Sequence, residues 1–509
     1  MVSGLLLTGS FPHWGLSYLA WIALVPLLIC LRDLSPGNGF KAGFLTGMVH
    51  YLTLMYWLAY TMSTYGNLPW YLCGLVLFLF SSYLACYFAF FSMLLIQVGR
   101  GNPMGLLTAP ILWVALEYLR TFLFSGFPWE LLGYTQFDLL PLIQISDITG
   151  IYGVSCLLVL ANVVICRAVL CRSDKTWQGA TVGKYTAAVQ LITVCLIAGA
   201  LWEYGILRMH AVDRSMARAP SARIAVVQGN IDQALKWDRA FQMETTRKYV
   251  RLSLEARKQS PDLVVWPETA TPFYFLYHSS LTKMVKAGVR MTGCDFLIGS
   301  PSYSRRKDRT EYYNSAYLIH PNGKPVSRYD KVHLVPFGEY VPLKKWLPFA
   351  GKIVDHVGDF KPGPSGITLN WRDYRLGVLI CYEMIFPNLS RATVANGANL
   401  LFNLTNDAWY GRTGAPYQHF SMAVLRAVEN RRWVVRAANT GISGFVDPVG
   451  RVTTSTSLFE DTVVTQKVFL GQDISFYTSR GDLFAQICLG GILLIIAWQL
   501  ACRFKKFRR

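Results

Sequence analysis

The sequence predicts a protein in two parts: a multi-span α-helical membrane domain and an α/β domain of alternating strands and helices. The 509-residue chain is 52% hydrophobic and only 16% charged, whereas an average soluble domain carries about 25% charged residues. The charges are unevenly spread, because residues 1–207 and 484–502 are mostly apolar. We therefore expect N-terminal transmembrane helices over 1–207, the α/β domain over 208–483, and a C-terminal transmembrane helix with a basic tail over 484–509.

The apolar stretches are long enough to cross a bilayer, which takes roughly 20 apolar residues. Met1–Ser10 is apolar but short, and we count it as a short first segment. With it, about seven segments precede the α/β domain and one follows. The other candidates are Gly15–Leu31, Phe40–Met62, Trp70–Val98, Pro103–Phe124, Ile151–Cys171, Val182–Leu207 and Leu483–Cys502.

The net charge of +19 would suit a nucleic-acid partner, but the positions of the basic residues argue against one. Lys and Arg cluster in alternate loops, and the intervening loops Ser63–Pro69 and Ser125–Gly150 contain neither. This is the positive-inside pattern of membrane proteins. It predicts that the basic loops are cytoplasmic and that the α/β domain lies outside the cytoplasm. The basic clusters are Arg32 and Lys41, Arg100, Arg167–Lys184 and Arg503–Arg509.

The α/β prediction for residues 208–483 comes from short, nearly continuous apolar runs that alternate with longer polar stretches. Such runs indicate strands covered on both faces, and their alternation with helices predicts α/β layers. The predicted strands are Arg223–Gln228, Asp262–Trp266, Phe296–Ser300, Ser315–His320, Arg375–Ile380, Asn399–Leu404, Val434–Asn439 and Gly444–Asp447. The predicted helices are Arg239–Lys258, Leu281–Thr292, Leu389–Asn396 and His419–Glu429.

Three reactive side chains stand near predicted strand ends: the Cys381 thiol, the Glu268 carboxylate and the Lys331 amine. A nucleophile, a proton acceptor and a cation are the groups of a covalent acyl-transfer site. Taken singly, each has a commoner explanation, because buried cysteines are usually inert and lysines usually solvated. His333 is a rival base, although its apolar neighbours indicate a strand face.

The runs that carry these residues are more specific than the residues alone. WPE at 266–268, DKVHLVPFGEYVP at 330–342 and ICYE at 380–383 resemble the nitrilase superfamily, which implies a Glu-Lys-Cys triad on an αββα sandwich. Further runs, joined to the apolar spans, resemble its membrane-anchored branch, the apolipoprotein N-acyltransferase family. These runs are VQGN at 227–230, KWD at 236–238, YYNS at 312–315, NLTNDAWYG at 403–411, QHF at 418–420 and RAANTGISG at 436–444.

The resemblance implies a role for each matching residue. Glu268 is the expected general base, Lys331 the cation that stabilises the oxyanion, and Cys381 the nucleophile. Glu339 matches a second essential carboxylate, which is expected to orient Lys331. Four further residues match positions tied to substrate binding or site architecture: Trp237 and Asn314 as substrate contacts, Tyr382 and Glu383 as supporting residues. The backbone N–H of the residue after the nucleophile is a natural oxyanion donor.

Cysteine usage agrees with a free nucleophile. The α/β domain holds only Cys294 and Cys381 of the eleven cysteines. A disulfide between these two is conceivable in an oxidising compartment, but it would consume the nucleophile, so we expect both to be free. The chain has no CxxC pair and no Cys/His cluster of zinc spacing. We expect no metal and no other cofactor.

The resemblance also implies the reaction. An acyl chain passes from a phospholipid, with phosphatidylethanolamine as the expected donor, to the N-terminal amine of a diacylglyceryl-cysteine apolipoprotein. The route is a ping-pong transfer through a Cys thioester at the bacterial cytoplasmic (inner) membrane, with the catalytic domain on the periplasmic side. Two alternatives stay open: a membrane-tethered nitrilase-like amidase or hydrolase, and an inactive lipid-binding protein.

A long acyl donor would explain the membrane anchor, because each buried CH₂ is worth about 0.8 kcal/mol and a whole lipid cannot be drawn into water. Two stretches, Pro272–Tyr277 and Val341–Phe349, combine aromatic or apolar side chains with a loop position, and the second adds two lysines. Such residues favour a membrane interface. The alternative is that both are ordinary lid packing.

Overall fold

The computed structural model describes residues 1–100, 102–306, 309–340 and 360–507. The chain divides into two compact units. The first comprises Met1–Ser63, Leu68–Met209 and Arg480–Arg509, and the second comprises Thr64–Asn67 and His210–Ser479.

The first unit is helical, apart from one short hairpin of strands β1 (Thr176–Trp177) and β2 (Ala180–Thr181). Four of the described helices are long and apolar enough to cross a membrane: α5, α9, α10 and the segment Leu483–Cys502 of α16. The helices are α1 Val2–Ser10, α2 Val25–Leu31, α3 Pro36–Leu54, α4 Trp57–Gly66, α5 Trp70–Gly99, α6 Ala109–Phe122, α7 Leu140–Ile143, α8 Ser146–Thr149, α9 Ile151–Arg172, α10 Lys184–Arg218 and α16 Leu483–Phe507.

Three predicted spans are not continuous helices. Gly15–Leu31 is divided into a 3₁₀ helix and α2, Phe40–Met62 into α3 and α4, and Pro103–Phe124 into a 3₁₀ helix and α6. Proline explains two of these breaks. A proline stands in the first turn of both α2 and α6, where its missing N–H costs no helical hydrogen bond, so each helix begins there. In these three places the apolar span is therefore not one continuous helix, and its crossing of the membrane stays a prediction.

The second unit contains two six-stranded sheets, with strand orders β14-β3-β4-β5-β6-β7 and β13-β12-β11-β10-β9-β8. In each sheet three adjacent strands are parallel, β3-β4-β5 in one and β9-β10-β11 in the other. The strands are β3 Ser221–Gln228, β4 Leu263–Val265, β5 Asp295–Arg306, β6 Arg309–Ile319, β7 Pro325–Asp330, β8 Thr368–Trp371, β9 Tyr374–Ile380, β10 Leu400–Thr405, β11 Val434–Ala438, β12 Gly444–Val446, β13 Val452–Ser455 and β14 Thr462–Phe469.

Helices cover the outer face of each sheet. Tyr249, Leu252 and Val285 of one helix pair pack on Val264 and Phe296 of the first sheet, and a second pair packs on β9 and β11. The inner faces meet where β3 contacts β11 and β6 contacts β9. The predicted αββα sandwich is thereby confirmed. The helices of this unit are α11 Arg239–Ala256, α12 Ser279–Thr292, α13 Pro387–Ala395, α14 Ala415–Asn430 and α15 Phe476–Arg480.

Gly299 of β5 lets the segment that follows β4 lie directly on the sheet. A Cβ on Gly299 would stand 2.7 Å from Glu268 Cα and 2.8 Å from Thr269 N, and would also meet the Pro267 carbonyl oxygen. All three obstacles are backbone atoms, which cannot rotate away. The position of Glu268 therefore requires glycine at 299.

We predict that Gly299→Ala lowers the thermal unfolding midpoint in detergent micelles, because overpacking a close contact typically costs about 1–3 kcal/mol. Gly74→Ala is the matched control, since no heavy atom lies within 4 Å of a Cβ built at that helical position. An unfolding midpoint for Gly299→Ala equal to that of the unmodified protein would contradict the close approach.

Candidate active site

Cys381 lies at a sharp turn between strand and helix. It follows the last residue of β9 and begins a 3₁₀ helix over Cys381–Ile385. Its backbone φ is +51°, in the left-handed region that costs a non-glycine residue of order 1–3 kcal/mol. The thiol is nearly buried, with 7% of the residue exposed. A strained, buried turn of this kind persists only when neighbouring groups hold it.

Glu268 enters the site from the other sheet, three residues after β4. One carboxylate oxygen, Oε1, accepts a hydrogen bond of 2.7 Å from Asn314 Nδ2 and lies 3.5 Å from Lys331 Nζ. Its backbone carbonyl accepts from Lys236 Nζ at 3.2 Å. Asn314 belongs to β6 and Lys331 follows β7, so neighbouring strands of one sheet fix this carboxylate.

Lys331 stands between two carboxylates. Its Nζ lies 2.9 Å from Glu339 Oε2 and 3.5 Å from Glu268 Oε1. Asn314 Nδ2 also donates to Glu339 Oε1 at 2.8 Å, so one amide group holds both acids. Burial alone would lower the pKa of Lys331, but Glu339 and Glu268 outweigh it and raise that pKa above its ordinary value. The ammonium therefore stays charged although it is buried.

The Cys381 thiol is neutral at rest. Burial and then the Glu268 carboxylate raise its pKa to about 12, while Lys331 acts in the opposite direction. Only the thiolate is a strong nucleophile, so a base must take the proton during the reaction. The structure supplies both a carboxylate and a cation whose charges act on this sulfur.

Glu383 ties the turn at Cys381 to the segment that bears Lys331. Its carboxylate accepts from the Ile380 N–H at 2.6 Å, from the Tyr329 hydroxyl at 2.9 and 3.0 Å, and from two backbone N–H groups after Lys331, those of Val332 and His333. Burial raises the pKa of Glu383 to about 7, and these donors work against that rise. The predicted supporting role agrees with these contacts.

The remaining predicted residues differ in their placement. Asn314 donates hydrogen bonds through Nδ2 to the carboxylates of Glu268 and Glu339. Its oxygen Oδ1 has no hydrogen-bond partner in the described part of the chain. Tyr382 packs its ring on Phe386. Trp237 is half exposed, and none of its described contacts reaches the triad. The His333 ring packs at a tilt against Phe386, with centroids 3.9 Å apart.

The two stretches predicted at a membrane interface have different outcomes. In Pro272–Tyr277, Phe273 and Phe275 are buried in the core of the sandwich, whereas Leu276 and Tyr277 are about half exposed. Part of this stretch, Phe273 and Phe275, is therefore packed in the core of the sandwich. Val341–Phe349 lies outside the residues that the structure describes.

Sequence reasoning missed Lys236. The residue is buried and donates to the carbonyl of Glu268. Burial lowers its pKa to about 8, although Glu268 and Cys381 both act to raise it. The run KWD was the available signal. In it, Lys236 directly precedes Trp237, an expected site residue, and a neighbouring lysine can enter the same cleft.

Sequence reasoning also missed a polar cluster behind the nucleophile, which we call the rear cluster. Its members are almost completely buried and come from three different runs of the sequence. They are Asn403, Thr405, Asp407, His419 and Arg436. Asn403 Nδ2 and His419 Nε2 each lie 3.2 Å from the carbonyl oxygen of Cys381. Asparagine and arginine inside otherwise apolar strands were the available signal.

Two protein families match different parts of this chain. Residues 3–164 match the family described as apolipoprotein N-acyltransferase N-terminal domain, and residues 223–472 match carbon-nitrogen hydrolase. An apolipoprotein N-acyltransferase of Geobacter metallireducens is 46% identical over 501 residues, 98% of this chain and 94% of the relative. One from Chlorobaculum tepidum is 33% identical over 98% of this chain and 95% of the relative.

Among solved structures, an amidase from Nesterenkonia sp. is 21% identical with a TM-score of 0.38, and the match covers 52% of this chain and 95% of that chain. The curated relatives match nearly from end to end, so their likeness includes the helical unit as well as the sandwich. The chain belongs to the apolipoprotein N-acyltransferase family, and its carbon-nitrogen hydrolase domain carries the site described above.

Proposed function

We propose that this protein transfers an acyl chain from a phospholipid to the N-terminal amine of a diacylglyceryl-cysteine apolipoprotein through a thioester on Cys381. The observation that carries the proposal is the buried Lys331 ammonium, held by Glu268 and Glu339 beside a strained cysteine turn. This is the constellation that covalent acyl transfer needs. The family relationship supports the lipoprotein acceptor.

In the first half-reaction, Glu268 accepts the proton of the Cys381 thiol, and the sulfur forms a bond to the ester carbonyl carbon of the phospholipid. The carbonyl oxygen takes up negative charge, which the Lys331 ammonium and the Tyr382 backbone N–H stabilise. As this oxyanion collapses, the bond between the carbonyl carbon and the glycerol oxygen breaks. Glu268 returns its proton to that oxygen, which leaves a lysophospholipid and an acyl-thioester.

In the second half-reaction, the lipoprotein amine attacks the thioester carbon and Glu268 accepts a proton from the amine. The same oxyanion donors act again. The carbon–sulfur bond then breaks, the sulfur recovers a proton from Glu268, and the product is an amide. Water would compete with the amine for the thioester, so water must be kept from the site while the acyl group is bound.

The acyl donor and the orientation are part of this proposal. We expect phosphatidylethanolamine as the donor. The domain lies between α10 and α16, and basic residues flank the far ends of both helices, at Arg172–Lys184 and at Arg503–Lys506. The positive-inside rule places those ends in the cytoplasm, so the catalytic domain faces the outer side of the cytoplasmic membrane. This orientation requires only that α10 and α16 each cross the membrane.

We predict that Cys381→Ala and Cys381→Ser abolish the acyl adduct that forms on incubation with phospholipid alone, because no other residue supplies the sulfur. Intact-mass spectrometry measures the adduct, and its companion product, lysophospholipid, is measured in the same sample. Thermal unfolding checks that the variants stay folded. A phospholipid-dependent adduct that persists in Cys381→Ala would overturn the assignment of the nucleophile.

We predict that Glu339→Gln slows formation of the acyl-enzyme by about 10²–10³-fold, the usual cost of losing an oxyanion donor, since Lys331 loses its closer carboxylate. Asp295→Asn is the matched control, because Asp295 is a buried carboxylate that accepts from Trp371 Nε1 instead. The rates come from quenched time courses read by mass spectrometry. Equal rates in Glu339→Gln and Asp295→Asn would exclude the proposed role of Glu339.

We predict that a membrane-impermeant maleimide applied to intact spheroplasts labels Lys324→Cys and spares Cys502. Lys324 is exposed in the turn between β6 and β7 and is a better reporter than the nearly buried Cys381. Both sites should react after detergent permeabilisation, which is the control. Labelling of Cys502 with protection of Lys324→Cys in intact spheroplasts would invert the orientation.

A further inference from the structure

Two side chains anchor the carbonyl oxygen of the peptide bond between Cys381 and Tyr382. Its carbonyl oxygen is 3.2 Å from Asn403 Nδ2 and 3.2 Å from His419 Nε2. Asn403 lies in β10 and His419 in α14, so two different elements converge on one oxygen. Both residues are fully buried. A carbonyl oxygen can only accept hydrogen bonds, so each of these nitrogens must present a hydrogen to it.

Other residues of the rear cluster determine how the Asn403 amide and the His419 ring are oriented. Arg436 donates to Asn403 Oδ1, which turns the Asn403 amide nitrogen toward the carbonyl. A second Arg436 nitrogen lies 3.0 Å from His419 Nδ1 and 2.7 Å from Asp407 Oδ2. Burial and then Arg436 lower the pKa of His419, which favours the neutral ring, while Asp407, whose Oδ1 lies 3.2 Å from Nδ1, acts to raise that pKa. In the neutral ring Nδ1 accepts from Arg436, and the hydrogen is on Nε2.

A trans peptide unit is planar, and its C=O and N–H point in opposite directions. Whatever holds the carbonyl oxygen of Cys381 therefore also sets the direction of the Tyr382 N–H. This N–H is the backbone donor proposed above for the oxyanion.

We propose that His419 and Asn403 are positioning residues that aim the Tyr382 N–H at the acyl oxygen by anchoring the carbonyl of Cys381, with Arg436 and Asp407 orienting them. The proposal rests on the proposed acyl-transfer function and extends it. It gives a role to the runs NLTNDAWYG, QHF and RAANTGISG. These runs take no part in the proposed chemistry of Glu268, Lys331 and Cys381.

Two reactions of the Cys381 sulfur distinguish a misdirected Tyr382 N–H from general damage to the site. Acyl transfer passes through an oxyanion, whereas alkylation by iodoacetamide occurs at a saturated carbon and forms none. Alkylation therefore reports the access and ionisation of Cys381, and acylation reports these together with the oxyanion donors. Loss of one carbonyl anchor should affect acylation alone.

The experiment uses the full-length protein in detergent with His419→Ala, His419→Gln and Asn430→Ala. The glutamine amide can still donate to the carbonyl. Asn430 is the matched control, since it is a buried polar residue of the same helix that donates to Ser390 Oγ and the Arg426 carbonyl. Intact-mass time courses measure acylation by phospholipid and by a p-nitrophenyl ester, and alkylation by iodoacetamide.

We expect His419→Ala to acylate about tenfold more slowly, below the 10²–10³-fold loss seen when a whole donor is removed, with alkylation within twofold of the unmodified protein. His419→Gln should recover most of the acylation rate, and Asn430→Ala should keep both rates. Unchanged acylation in His419→Ala, an equal fall of both rates, or no recovery in His419→Gln would each overturn the positioning role.

The two proposals fail in different ways. If the unmodified protein forms no adduct with phospholipid, the proposed function fails, and the p-nitrophenyl ester then tests the carbonyl anchor by the same pattern of rates. If the unmodified protein acylates normally and His419→Ala does so equally fast, only the anchor fails.

Discussion

The site depends on one buried ammonium held between two carboxylates. Lys331 Nζ lies 2.9 Å from Glu339 and 3.5 Å from Glu268, and Asn314 bridges the two acids. Removing one partner of a buried charge group leaves an uncompensated charge and typically costs about 3–5 kcal/mol. The loop after β4, the strand β6 and the segment after β7 must therefore keep their relative positions. That constraint fixes a carboxylate and an ammonium whose charges act on the Cys381 sulfur.

A second set of contacts brings the other sheet to this charge group. Glu383 binds Ile380 at the end of β9 and the backbone N–H groups that follow Lys331, while the rear cluster holds the carbonyl of Cys381. The turn at Cys381 is thus held on one side by the Glu383 carboxylate and on the other by the Asn403 and His419 nitrogens. Preorganised donors of this kind cost no reorganisation when charge develops in the transition state.

The sequence predicted the central strands and the triad because both leave local signals. β4 and β10 are short apolar runs buried throughout, and β9 is buried from Leu376 to Ile380. Glu268 and Cys381 follow such runs closely. The edge strands β8, β13 and β14 went unpredicted, since their half-exposed residues are specified by pairing with a neighbour. The rear cluster left a weaker signal, an asparagine and an arginine inside otherwise apolar strands, but only packing brings Asn403 and His419 to one carbonyl oxygen.

The proposed reaction requires that the Cys381 thioester pass its acyl group to an amine. The most direct test isolates the acyl-enzyme after incubation with phospholipid, removes the lipid, and adds a synthetic diacylglyceryl-cysteine peptide. Mass spectrometry then follows both the enzyme and the peptide. We expect loss of the adduct to accelerate with peptide and to be matched by N-acylated peptide. An adduct that decays to free fatty acid at the same rate with and without peptide would identify a hydrolase and exclude acyl transfer to the amine.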